Sequence, residues 1–124
     1  MRQEMLMKLW IEQKPEMVKR VVVPNARILE ELAAAGRLDT LIQPDAVVVI
    51  PDVVRATNGI KVGGDRKVLL WIMNHERDGS VYVGSTKVWE NFVESRVLAD
   101  CSEAKATREI VERLIGQGEM VEIL

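Results

Sequence analysis

The sequence predicts an α/β domain, a short parallel sheet of about four strands with helices on both faces in three α/β/α layers. Three observations carry this reading. Four short apolar runs recur along the chain: Val21–Val23, AVVVIP at 46–51, VYV at 81–83 and EMVEIL at 119–124. Charges, prolines or glycines bound them, as expected of strands buried on both faces. Segments with apolar residues at helical spacing separate the runs, and parallel strands need such crossovers. The 124 residues, 48% hydrophobic and 29% charged, suit one domain that buries roughly two-thirds of its unfolded surface.

The elements follow in order. Met5, Leu6, Leu9 and Trp10 repeat at helical spacing within residues 2–13, and Pro15 ends that helix. Residues 1–15 thus read as a helix added before the first strand. It packs on its own domain or forms a surface for a partner or a second copy. After VKRVVVP, the residues Ile28, Leu29, Leu32 and Ala33 mark a helix face, and Gly36 suits its C-terminal end. Leu38, Leu41 and Ile42 start a further short turn. DVVRAT begins a short helix after the second strand, and Asn58, Gly59, Gly63 and Gly64 read as a flexible loop. Asp65 caps a helix through about Glu76, and Asp78–Gly79 is a turn. Ser85 or Thr86 caps a helix with Val88, Trp89, Phe92, Val93 and Val97 on one face. A last helix, about Ser102 to Ile115, presents Ile110, Val111, Leu114 and Ile115, and Gly116 and Gly118 stop it.

Composition excludes several classes. One cysteine, Cys101, excludes an intramolecular disulfide framework and a multi-cysteine zinc site. Net charge is −2, so no global basic character points to nucleic acid. No run approaches the roughly 20 apolar residues of a membrane span. Glu4 and Glu12 interrupt the first apolar stretch, which argues against a secretion signal and makes a cytoplasmic setting the default. The sole histidine, His75 in NHERDG, reads as a solvated surface residue. No nucleophile elbow, P-loop or dinucleotide fingerprint is present. Trp10, Trp71 and Trp89 sit at helical core positions, where packing is the simpler role than stacking on bases.

Acidic residues remain. In parallel sheets ligands bind beyond the carboxyl ends of the strands, here Asn25, Asp52 and the segment Gly84–Thr86. Asp39, Asp45, Asp52, Asp100 and Glu103 flank strands and helix starts. Clustered carboxylates can hold magnesium or manganese, which prefer oxygen ligands and can activate water for phosphodiester hydrolysis.

In order and spacing, the motifs resemble the PIN-domain family, compact α/β proteins typified by metal-dependent ribonucleases and by toxins of bacterial toxin–antitoxin pairs. The resemblance covers about residues 20–124. VVVPNARILEELAAAGRLDTL resembles the family's first strand, catalytic loop and first helices, with its G-R-L-D-x-L turn. VVVIPDVVRAT is similar to the second strand and I-P-D-x-V step. DRKVLLWIMNH and SVYVGST look like the next helix and third strand. ADCSEAKATREIVERL resembles the acidic helix start often written D-x-G-E-A, and EMVEIL resembles the strand before the last acidic cluster.

The resemblance implies a four-carboxylate site, and the chain departs from it. The first aspartate falls on Asn25, whose carbonyl oxygen can ligate but carries no charge. The glutamate after I-P-D-x-V falls on Thr57. The third acidic position falls on Asp100, with Glu103 one turn along. The last aspartate is expected after the closing strand, beyond Leu124. Each residue also has a structural reading. Asn25 suits a helix N-cap, Thr57 a helix end, and Asp100 with Glu103 a capping-box-like start.

Three functions stay open at this point. The first is a PIN-like module with a degenerate acidic site, acting in binding or regulation or surviving as an inactive remnant of a toxin-type ribonuclease. Its partners would be RNA or an antitoxin-like protein. The second is an active Mg- or Mn-dependent endoribonuclease, with Asp100 and Glu103 on the ion and Asp52 or a second subunit supplying further oxygens. The third is a homo-oligomer assembled through the N-terminal helix.

Overall fold

The computed structural model describes residues 18–60, 66–95 and 102–124. The first strand, β1 (Lys19–Val22), leads into α1 (Ala26–Ala34) and a 3-10 turn, Leu38–Leu41. Strand β2 (Ala46–Pro51) runs directly into α2 (Asp52–Ile60), and α3 (Arg66–Asp78) precedes β3 (Val81–Gly84). Helices α4 (Lys87–Ser95) and α5 (Glu103–Gly116) then lead to β4 (Met120–Ile123). The four strands form one sheet in the order β3-β2-β1-β4, and every pair is parallel. The expected α/β class and four-stranded parallel sheet are therefore present.

Register explains how each face is filled. Val22 pairs with Val49 and Ile123, so these side chains share one face. There Val22 and Val49 pack against Ile110 of α5, with Val111, Leu114 and Val121 around them. On the other face Val48, Ile50 and Val81 meet Leu29, Val54, Trp71 and Ile72 from α1, α2 and α3. Burial of such side chains contributes about 1.5–3 kcal/mol each. Between β3 and α5 the approach is close: a Cβ on Gly84 would lie 2.6 Å from Ile110 Cδ1. Gly36 ends α1 as expected, at φ 68°, with Arg37 N–H reaching back to the Leu32 carbonyl at 2.8 Å.

Several local expectations are corrected. Asn58 and Gly59 belong to α2 rather than to a loop. Asn58 is buried, and its Nδ2 donates to the Ala26 carbonyl at 3.3 Å. A tertiary bond of this kind overrides the weak helix propensity of Asn-Gly. Thr57 accordingly stands inside the helix, its hydroxyl donating to the Val53 carbonyl at 2.8 Å. Val93 and Ile115, expected on buried helix faces, are exposed. Strand β4 is also largely exposed, because it is the sheet's outer strand rather than an inner one. The expected N-terminal helix with Met5, Leu6, Leu9 and Trp10 lies outside the described residues, as do Gly63, Gly64, Asp65, Val97, Asp100 and Cys101.

His75 is not a bare surface residue. Its side chain is 21% exposed, with Nδ1 3.0 Å from Asp78 and the ring tilted 5.1 Å from Trp71. Trp71 Nε1 donates to Asp39 at 2.9 Å. These contacts join the end of α3 to the 3-10 turn. Among the described residues no helix is long and apolar enough to cross a membrane.

Candidate functional site

A parallel sheet with following helices gathers helix N-termini at one end. Each start presents unpaired N–H groups and partial positive charge. Acidic and amide side chains are favoured there, and this chain places them so.

Asn25 follows β1 and caps α1, its Oδ1 accepting from Ile28 N–H at 3.1 Å. Glu103, the first residue of α5, reaches across to the same helix start. Its Oε2 accepts from Ala26 N–H at 2.9 Å. Thr107, one turn along α5, donates from its hydroxyl to the Pro24 carbonyl at 3.2 Å. Asn25 and Glu103 are thus brought together, seventy-seven residues separating Ala26 from Glu103 in sequence.

The capping-box expectation for Glu103 is corrected. Ser102 caps α5, accepting from Lys105 N–H at 3.3 Å, and Glu103 is free to bridge to α1. Asp100 lies outside the described residues.

Asp52 serves a second junction. One oxygen accepts from Thr86 N–H at 2.8 Å, and the other accepts from Thr86 Oγ1 at 2.7 Å and from Val53 N–H at 2.8 Å. It thereby ties the end of β2 to the start of α4. Thr86 Oγ1 in turn accepts from Trp89 N–H at 3.2 Å. Thr57 is exposed, and its hydroxyl bonds back to Val53 of its own helix.

Glu109 carries no sequence motif that marks it. From α5 it accepts from Lys87 N–H at 2.8 Å, the first N–H of α4. Arg113, one turn further, holds Glu109 at 3.2 Å and donates to the Ser85 carbonyl at 2.8 Å. No local motif announces such a bridge, because its partner lies twenty-two residues away. Asn58, in a sequence stretch that looks like a loop, is likewise unmarked. Its Oδ1 is buried without a hydrogen-bond partner.

The fit to a divalent ion can be judged from these donors. Such an ion needs several oxygens converging on one point. Oxygens of Asn25, Asp52 and Glu103 are instead each engaged by backbone N–H groups. Among the described residues no three His, Cys, Asp or Glu side chains are grouped so as to hold a metal. The described residues do not fit a magnesium or manganese centre.

A groove of about 710 Å³ lies over this end of the sheet, lined by Pro24, Asn25, Glu103, Thr107, Arg108 and Ile123 among others. Its place follows from topology. From β1 the chain winds outward through β2 and β3, then returns to β4 on the other side of β1. Doubly wound sheets bind ligands at such a reversal, beyond the strand carboxyl ends.

Comparisons with protein-family models, with curated proteins and with solved structures find no match to this chain.

Proposed function

We propose that this chain is a PIN-like domain whose acidic site is degenerate and which acts as a non-catalytic binding or regulatory module in the cytoplasm. One observation carries the reading. Glu103 Oε2 is bonded to Ala26 N–H at 2.9 Å, while Asn25 caps Ile28 N–H. Glu103, one turn along from the third acidic position of the resemblance, clasps α5 to α1, and Asn25, at the first position, caps α1 itself. Nuclease chemistry at such a site needs carboxylates free to gather a metal. The groove beside the clasp offers a site for a ligand, with Arg108 and Glu112 giving it both signs of charge. Single-stranded RNA or an antitoxin-like protein is the partner class that the resemblance suggests.

The test incubates the purified full chain with single-stranded RNA and Mg²⁺ or Mn²⁺. Intact RNA is the expected result. Metal-dependent cleavage that disappears in Asp100→Ala establishes the active ribonuclease instead.

A further inference from the structure

We propose that β4 is a homodimerisation edge, pairing antiparallel with β4 of a second copy about a two-fold axis at Glu122. The inference is independent of the function proposed above.

Strand β4 pairs only with β1 among the described residues, and lies at the end of the sheet. Leu124 N–H donates to the Val22 carbonyl at 3.0 Å. With the register Val22↔Ile123, this turns the backbone groups of Met120, Glu122 and Leu124 toward β1. Those of Val121 and Ile123 point outward, giving two N–H and two C=O groups with a two-residue repeat. An antiparallel partner about Glu122 satisfies all four, because Val121 then faces the partner's Ile123 as a hydrogen-bonded pair, twice over. An axis at Val121 instead sets Ile123 against the partner's Glu119, whose N–H is already given to the Leu114 carbonyl.

Side chains agree with the same register. Natural sheet edges are usually protected by charge, proline or cover. Here Met120 is 50% exposed, Ile123 51% and Leu124 39%. Pairing about Glu122 sets Met120 against the partner's Leu124, and Val121 against the partner's Ile123. It also sets two Glu122 carboxylates opposite each other, a destabilising arrangement when uncompensated. Each is compensated: Lys19 Nζ lies 2.7 Å from Glu122 Oε1. The four charges across the axis then sum to zero. This self-complementarity of hydrogen bonds, apolar pairs and charge identifies a second copy as the occupant, through an isologous interface. The joined sheet reads β3-β2-β1-β4-β4-β1-β2-β3. Ile123 also lines the groove beside Asn25 and Glu103, so the dimer seam borders that groove.

Sedimentation velocity of the full chain over a concentration series tests this. The expected mass rises toward twice the 14.0 kDa of one chain. Ile123→Pro removes one outward N–H and leaves the bonds to β1, a position where an edge strand tolerates proline. It is expected to be monomeric, with an unchanged circular dichroism spectrum. Should it fail to fold, Glu122→Lys decides: four lysine charges at the axis are expected to weaken association at least tenfold. A wild-type monomer at every concentration overturns the proposal. So does a dimer unmoved by the β4 substitutions, or one abolished by Leu6→Ser with Leu9→Ser while those substitutions leave it intact.

Discussion

Ala26 N–H receives a carboxylate from Glu103 while Ile28 N–H receives an amide oxygen from Asn25, so two of α1's four unpaired donors are met by side chains. Replacing Asn25 with Ala is expected to cost about 1 kcal/mol, as for other lost N-caps. Glu103→Ala removes a charge-assisted bond and is expected to cost about 1.5–3 kcal/mol. Because both act on one helix start, their double mutant is expected to deviate from additivity in denaturant titrations. A different residue contributes to acid sensitivity. Hydrogen bonds from Ser80, then the nearby His75, hold the Asp78 carboxyl below its usual range. A carboxyl lowered in the folded state stabilises the fold above its ordinary value near 3.8, and that contribution is lost as pH falls through the lower folded value. Asp78→Ala is therefore expected to lower Tm at pH 7, and the gap from wild type is expected to close as pH drops below about 4.

At the scale of elements, the sheet was legible because its inner strands are continuous apolar runs. Val21–Val23 and Ala46–Pro51 read as inner strands, and their periodic neighbours as the covering helices. Element ends were less legible, because distant residues set them. Asn58–Gly59 looks like a loop until Asn58 bonds to the Ala26 carbonyl. Glu103 looks like part of its own helix's cap, yet Ser102 is that cap and Glu103 reaches α1. The clasp residue Glu109 was invisible for the same reason: its target, the start of α4, is adjacent only in the folded chain. Glycine shows the converse. Gly84 looks like a strand end, yet its missing side chain makes room for Ile110, which is 2% exposed and hemmed in. Gly84→Ala is expected to destabilise by about 1–3 kcal/mol through overpacking, measured by chemical unfolding. Ile110→Val in the same chain is expected to recover part of that loss by withdrawing the Cδ1 atom.

For the whole molecule, the carboxyl end of the sheet is where helix starts, acidic residues and the groove coincide. Two carboxylates of α5, Glu103 and Glu109, reach the starts of α1 and α4, while Asp52 ties β2 to Thr86. That arrangement turns the end of a doubly wound sheet into a set of braces around a groove. The family resemblance makes a further statement about the same end. Placing carboxylates at both altered positions, Asn25→Asp with Thr57→Glu, is expected to give Mn²⁺ binding stronger than that of the native chain, and no such gain in the double variant counts against the resemblance. The most direct test of the braces is a calorimetric titration of the native full chain with Mn²⁺ at millimolar concentration. The expected result is no saturable heat. Saturable binding that Glu103→Gln abolishes contradicts the assignment, because it requires Glu103 to serve a metal rather than the start of α1.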